Sequence, residues 1–147
     1  MKISKNGIDL ICSFEGYSTK PYLDSKGIPT IGYGTTFYPD ESRVSMSDDL
    51  CTKEDAQEWL ILHLVGLQQS LNGLGLTINQ NQFDALCSFI YNVGFGAFTS
   101  STLLKVIKGE SNAYSIEECF LMWNKAGSNT LAGLTKRRQA ESNLYNS

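Results

Sequence analysis

The sequence changes character at Thr52, and this change restricts the possible folds more than any other feature of the chain. Glycines and prolines divide residues 17–46 into short apolar runs, a pattern typical of two or three short β-strands with tight turns. Residues 53–71 instead carry apolar side chains at helical spacing, which predicts one helix of about 28 Å. The run T-K-E-D that begins at Thr52 resembles a capping box and marks the start of this helix.

Further helices are predicted where a capping residue precedes an apolar face and a glycine follows it. They cover residues 3–15, 80–91, 102–108, 116–123 and 134–145. The predicted fold class is therefore α+β, in a single domain over residues 1–147. One lobe is predicted over about residues 14–52, and the other over about residues 72–147 together with the N-terminal helix. The helix over about residues 53–71 would join them, and we expect a binding cleft between the lobes.

Charge and cysteine content exclude several classes of function. The formal net charge is −3, so the chain lacks the overall basic field of a nucleic-acid-binding protein. The one histidine and the scattered cysteines form no metal-ligand pattern, and neither a metal nor another cofactor is expected. The cysteines are expected to be free thiols in apolar surroundings, although two disulfides are an open alternative. They are Cys12, Cys51, Cys87 and Cys119.

No segment of the sequence has the pattern of an export signal or of a membrane span. Lys2, Lys5 and Asp9 interrupt the apolar character that a signal peptide requires. The longest apolar run, residues 60–67, is far shorter than a membrane-spanning helix. We therefore expect synthesis in the cytoplasm without a signal peptide or membrane insertion, so that work outside the cytoplasm would require a separate route of release.

Two carboxylates and a hydroxyl occur close together near the start of the chain. Glu15 lies in the run F-E-G, Asp24 follows shortly after Tyr22, and Thr30 opens the run T-I-G-Y-G. Cleavage of a glycosidic bond commonly uses two carboxyl groups with different roles, and a hydroxyl can help to hold the attacking water. Taken singly, each residue has an ordinary alternative: a solvated helix end, a turn aspartate and a strand threonine.

These residues, together with two further blocks, resemble the phage-type lysozymes of glycoside hydrolase family 24. The second block is Q-x-D-A-L-x-S-F-x-Y-N-x-G over residues 82–94, and the third is G-L-T-K-R-R-Q-A-E over residues 133–141. The resemblance covers nearly the whole chain and implies a lysozyme-like fold. It implies an endolysin that hydrolyses the β-1,4 bond between N-acetylmuramic acid and N-acetylglucosamine in peptidoglycan, causing host cell lysis. We expect a monomer that reaches the cell wall after release by a separate holin.

The resemblance also implies roles for individual residues. Glu15 is the expected general acid that protonates the departing oxygen, and Asp24 is the ionised partner that stabilises the transition state or activates water. Thr30 is expected to hold the attacking water together with Asp24, which would give inversion at the anomeric carbon. Tyr91 and Ser101 align with substrate-binding positions of the family, with core packing or helix capping as the alternative for each.

Other positions leave alternatives open. Arg137 and Arg138 are expected either to face the cleft or to form a solvated surface with ion pairs. His63 follows Trp59 on the connecting helix and is expected to be a partly buried structural residue. Thr35 directly follows T-I-G-Y-G, where members of the family often carry histidine. This departure affects the expected substrate contacts near the hairpin and leaves the carboxylate pair intact.

Two other functions are compatible with the same fold. A non-catalytic wall-binding or virion structural module would share the architecture, but the complete set of Glu15, Asp24 and Thr30 argues against it. A lytic transglycosylase would cut the same polymer without an attacking water, so the combination of Asp24 and Thr30 argues against that alternative as well. Binding without turnover would favour the first alternative, and 1,6-anhydro products would favour the second.

Overall fold

The computed structural model describes every residue from Met1 to Ser147 and confirms the α+β class. In chain order the elements are α1 (Lys5–Phe14), β1 (Ser18–Leu23), β2 (Pro29–Gly32), α2 (Lys53–Gly73), α3 (Gln80–Val93), α4 (Phe95–Thr99), α5 (Thr102–Ile107), α6 (Ile116–Leu121), β3 (Lys125–Ala126), β4 (Asn129–Thr130) and α7 (Ala132–Asn146). The chain divides into two compact units: a hairpin unit, Ile11–Val65, and a helical unit, Met1–Leu10 with Gly66–Ser147. None of the helices combines the length and the apolar character needed to cross a membrane.

The hairpin unit contains the antiparallel ladder of β1 and β2, in which Tyr22 lies opposite Thr30. Gly32 ends β2 with a φ of 64°, in the left-handed region that favours glycine. A Cβ at Gly32 would lie 3.0 Å from the Cβ of Ala56 on α2. The glycine therefore satisfies two requirements at once, a left-handed backbone and a close approach of β2 to the helix.

The long helix α2 begins with the predicted capping box. The N–H of Asp55 donates to Thr52 Oγ1 over 3.1 Å, and the N–H of Thr52 donates to Asp55 Oδ2 over 3.2 Å. Its fully buried side chains in the hairpin unit are those of Ala56, Leu60 and Leu64. The prediction of a partly buried His63 is wrong, because the buried stripe repeats every fourth residue and leaves His63 on the exposed side of the helix.

Phe89 on α3 lies at the centre of the core of the helical unit and is fully buried. Its ring meets the rings of Phe98, Phe120 and Trp123 nearly edge-on, with centroid distances of 6.2, 5.4 and 5.9 Å. Edge-to-face contacts of this kind add about 0.5–1.5 kcal/mol each beyond the burial of area. The helix that carries Phe89 begins at Gln80, where the sequence predicts its start, and Asn79 forms a capping box with Gln82.

Two local details of the helical unit differ from the sequence prediction. The sequence favours Thr99 or Ser100 as the cap of α5, but Ser101 caps it, and Thr99 ends α4. Helix α4 has five residues and the ribbon of β3 and β4 has two residues in each strand, so both are too short to produce a periodic pattern.

The four cysteines are free thiols, which is the state that the sequence favours. Cys51, Cys87 and Cys119 are buried, and Cys12 is half-buried. Burial raises the pKa of the Cys87 thiol to about 12, so this side chain stays protonated at neutral pH and packs as a small apolar group.

Candidate active site

Asp24 lies in the turn that joins β1 to β2, directly after the last residue of β1. Its Oδ1 accepts from the N–H of Lys26 over 2.8 Å and from the N–H of Ile28 over 2.9 Å. Its own N–H donates to the carbonyl of Ile28 over 3.0 Å. The carboxylate is therefore oriented by the turn through one oxygen, and Oδ2 takes part in neither of these bonds.

Thr30 is on β2, and only 3% of its surface is exposed. Its Oγ1 donates to the carbonyl of Ile28 over 2.8 Å. A hydroxyl has one proton, so this bond uses the donor and leaves the oxygen of Thr30 as an acceptor. Asp24 and Thr30 are thus both bonded to the main chain of Ile28, and each offers an acceptor to a further group.

Glu15 follows the last residue of α1 and is half-buried. Its N–H donates to the carbonyl of Ile11 over 3.0 Å, which continues the helical bonding by one residue. Gly16 then adopts a φ of 25° and ends the helix, as predicted. Glu15, Asp24 and Thr30 all belong to the hairpin unit.

Thr35 is buried, with an exposed fraction of 1%. Its main chain pairs with that of Ile31 in both directions, each bond measuring 2.9 Å, and its Oγ1 has no hydrogen-bond partner. The structure therefore makes Thr35 part of the turn that follows β2.

The other two predicted site residues, Tyr91 and Ser101, belong to the helical unit. Tyr91 is half-buried on α3. Ser101 is 3% exposed, and its Oγ donates to the carbonyl of Phe98 over 2.6 Å and accepts from the N–H of Leu104 over 3.1 Å. Of the two alternatives for Ser101, helix capping is therefore the one that the structure favours.

Arg137 and Arg138 are buried on α7, so the expectation of a solvated surface is wrong. Glu141, fully buried, accepts from the Nε of Arg137 over 3.1 Å and from the Oγ of Ser88 over 2.7 Å. Its Oε2 lies 2.9 Å from the Nε of Arg138 in an ion pair whose angle does not suit a hydrogen bond. Arg138 also donates to Asn92 Oδ1 over 2.7 Å. We call Ser88, Arg137, Arg138 and Glu141 the buried charge cluster.

Burial acts in opposite directions on the two charge types of this cluster. It raises the pKa of Glu141 and lowers the pKa of Arg138, because each charged form loses hydration. The opposite charges counteract both shifts by attraction. The spacing of these residues on α7 is compatible with side-chain pairing, and this was the one signal in the sequence that could have indicated the cluster.

The structure contains no group of three or more histidine, cysteine, aspartate or glutamate side chains that could hold a metal ion. The chemistry available in the hairpin unit is that of carboxyl groups and an oriented hydroxyl. Carboxyl groups and a hydroxyl on a hairpin of an α+β fold are compatible with a glycoside hydrolase of the lysozyme type. Residues 12–141 match the family model described as phage lysozyme, and the chain belongs to this family.

Similar proteins support this assignment over the full length of the chain. The endolysin of Salmonella phage P22 is 40% identical over 140 residues, which cover 95% of this chain and 94% of the relative. The endolysin of Bacillus phage PZA is 39% identical over 148 residues, covering 100% of this chain but 56% of that protein. A crystal structure of a P22 lysozyme mutant matches with a TM-score of 0.87 at 39% identity, covering 100% of this chain and 99% of the other.

Proposed function

We propose that this protein is an endolysin that hydrolyses the β-1,4 bond between N-acetylmuramic acid and N-acetylglucosamine in bacterial peptidoglycan. Membership of the phage lysozyme family supports a glycoside hydrolase that lyses cell walls. The observation that carries the residue assignment is the shared bonding of Asp24 and Thr30 to Ile28, because it orients a carboxylate and a hydroxyl acceptor on one hairpin.

In the proposed mechanism Glu15 donates a proton to the oxygen that leaves the scissile bond. Asp24 begins the step ionised and stabilises the positive charge that develops on the sugar ring, until it takes up the proton of the attacking water. A water donates hydrogen bonds to Thr30 Oγ1 and to the carboxylate of Asp24, which removes its proton as it attacks. Attack from the face opposite to the leaving group inverts the anomeric carbon.

Thr30 supports hydrolysis by water because its hydroxyl hydrogen is engaged in a hydrogen bond to the carbonyl of Ile28. The oxygen can then act only as an acceptor, which fixes how a bound water is turned. This orientation would have no purpose in a lytic transglycosylase, where no external water attacks. Tyr91, half-buried on α3, is a further candidate for contact with the polymer.

Product analysis of digested peptidoglycan tests the proposal. Wild-type protein is expected to release fragments with new reducing ends, and the first product formed is expected to have the inverted configuration by NMR. Glu15→Gln is expected to keep the fold, by circular dichroism, and to abolish clearing of a peptidoglycan suspension. Retained clearing would contradict the acid role of Glu15. Products with 1,6-anhydro ends would show that the reaction is transglycosylation and not hydrolysis.

The proposed cellular role is lysis of the host by a monomer that crosses the membrane through a separate holin. Expression of the chain alone is then expected to leave bacteria intact, whereas co-expression with a holin is expected to lyse them. A culture that lyses equally fast without the holin would contradict this route. Sedimentation analysis tests the monomer directly.

A further inference from the structure

The hairpin unit has a concave surface, which we call the aromatic groove. It has a volume of about 590 Å³, within the range of roughly 300–1,000 Å³ that is usual for small-molecule sites. Its principal walls are the side chains of Phe37, Tyr38, Trp59 and Leu62, and its polar groups are those of Glu41 and His63. Glu15, Asp24 and Thr30 do not line this groove, so the proposed mechanism leaves it without a role.

The aromatic walls are held in fixed orientations. The hydroxyl of Tyr38 donates to Asp48 Oδ2 over 2.7 Å, and the ring of Tyr38 meets that of Trp59 at 5.1 Å and 71°. The guanidinium of Arg43 lies 4.9 Å from the centre of the Phe37 ring and so covers one of its faces. Phe37 is nevertheless 41% exposed. A ligand would therefore meet rings that lose little freedom on binding.

Glu41 occupies a position where the backbone favours glycine. Its φ is 69°, and it is the one residue other than glycine in this chain with a positive φ. The turn is closed by the N–H of Glu41, which donates to the carbonyl of Tyr38, and by the N–H of Tyr38, which donates to the carbonyl of Ser42, each over 2.9 Å. A glutamate in this conformation places a carboxylate beside aromatic rings, although the left-handed backbone is strained for a residue other than glycine.

We propose that the aromatic groove binds a neutral N-acetylated sugar residue of the cell-wall glycan, outside the catalytic residues. This inference rests on the proposed function, since it assumes that the polymer is the substrate. The C–H face of a pyranose ring carries a small positive charge and packs on the negative face of an aromatic ring. Hydroxyl and amide groups on its edge can donate to the carboxylate of Glu41, and the acetyl methyl group can pack on Leu62.

Charge supports a neutral sugar as the occupant. The carboxylate of Glu41 disfavours an anionic ligand, while the apolar walls disfavour a ligand that is polar on every side. The net charge of −3 also gives the protein no bulk attraction to an anionic wall, so its retention there depends on specific contacts. A second site on the same polymer raises the effective concentration of the enzyme at its substrate.

A fluorescence titration tests the groove directly. The chain has two tryptophans, so Trp123→Phe leaves Trp59 in the groove wall as the only one. Titration of this variant with the trimer of N-acetylglucosamine is expected to give a saturable change in fluorescence. Phe37→Ala or Glu41→Gly in the same background is expected to weaken the apparent affinity at least fivefold. Tyr114→Ala, which removes an exposed aromatic ring from the helical unit, is the matched control and is expected to have no effect.

Glu41→Gly separates binding from folding, because glycine suits the backbone at this position and the variant should melt no lower than its parent. Absence of a saturable change, or equal affinities in the parent and both groove variants, would overturn the proposal. A response to lysine amide in place of the sugar would overturn it as well, since the groove would then be a cation site. The titration measures binding without turnover, so it can fail independently of the Glu15→Gln test of catalysis.

Discussion

Asp24 and Thr30 are joined through the main chain of a single residue, Ile28. The N–H of Ile28 donates to Asp24 Oδ1 over 2.9 Å, and its carbonyl accepts from Thr30 Oγ1 over 2.8 Å. The two side chains come from opposite ends of one tight turn, so the register of the hairpin fixes their relation. A change in that turn is therefore expected to disturb both residues together, whereas each proposed role can be tested by substitutions that preserve the turn.

Replacement of Thr30 tests whether its hydroxyl orients the attacking water. Thr30→Val keeps the shape but removes the hydroxyl, and with it both the acceptor and the bond to Ile28, and we expect the rate of peptidoglycan hydrolysis to fall by roughly 10²-fold. Thr30→Ser keeps the hydroxyl and is expected to retain most of the activity. Initial rates measured on the same peptidoglycan suspension compare the two variants. Equal losses in both would contradict a specific role of the hydroxyl, because the variant that retains it would then be as impaired as the variant that lacks it.

Replacement of Asp24 separates charge from turn geometry. The side-chain carbonyl of asparagine can accept the same two bonds from Lys26 and Ile28, so Asp24→Asn is expected to fold with nearly unchanged stability. Its activity is expected to fall by roughly 10²-fold or more, because the negative charge is lost. Asp24→Ala should lose activity and, in addition, about 1 kcal/mol of unfolding free energy. An active Asp24→Asn enzyme would contradict the ionised role.

The sequence could predict the hairpin residues and the capped helices because these depend on local patterns. It could not show that Ile28 connects Asp24 with Thr30, since this depends on strand register. Arg137 and Arg138 look like surface residues in the sequence, because charged side chains are seldom buried without partners. Arg137 donates to Ser88 and Arg138 donates to Asn92, both on another helix, so their burial is understandable only in three dimensions.

The buried charge cluster is expected to be sensitive to the loss of its single anion. Glu141→Gln leaves two buried guanidinium groups without a counter-charge, and we expect the unfolding free energy to fall by about 3–5 kcal/mol. Urea unfolding followed by circular dichroism measures this loss. Lys136→Met, at an exposed position on the same helix, is the control and should stay within about 0.5 kcal/mol of the wild type. A similarly small effect of Glu141→Gln would mean that the cluster tolerates the uncompensated charge.

Stability at low pH is expected to depend on Asp48. The N–H of Ser45 and the hydroxyl of Tyr38 both donate to this carboxylate and hold its pKa below the usual range. A lowered pKa in the folded state gives stability that is present above the ordinary value of about 4 and is lost as the pH falls through the folded value. Between about pH 5 and about pH 2, the melting temperature of Asp48→Asn should therefore fall by less than that of the wild type.

Two controls refine the test of Asp48. Tyr38→Phe removes one donor and is expected to give an intermediate dependence on pH. Asp40, whose pKa is lowered by bonds from Ser42, contributes in the same direction and leaves a residual slope in both variants. Melting curves of Asp48→Asn and the wild type that run parallel over this pH range would exclude a contribution from Asp48.

Two helical glycines are expected to respond to alanine in opposite directions. A Cβ at Gly7 in α1 would lie 2.5 Å from Ile3 Cγ1 and 2.9 Å from the Cβ of Asp84. Asp84 is itself held by bonds from the N–H of Ser4 and from the side chain of Gln80, each over 2.9 Å, so it cannot easily move. Gly7→Ala is therefore expected to cost about 1–3 kcal/mol of unfolding free energy through overpacking.

Gly66 in α2 provides the matched comparison, because a Cβ there would meet no atom within 4 Å. Alanine at this position loses less chain entropy on folding and is expected to stabilise the protein by about 0.5–1 kcal/mol. Thermal melting of the two single variants beside the wild type measures both effects, and the prediction is a lower melting temperature for Gly7→Ala and a higher one for Gly66→Ala. If both variants melted higher than the wild type, helix propensity would outweigh the packing around Asp84. If both melted lower, alanine would bring no benefit at Gly66.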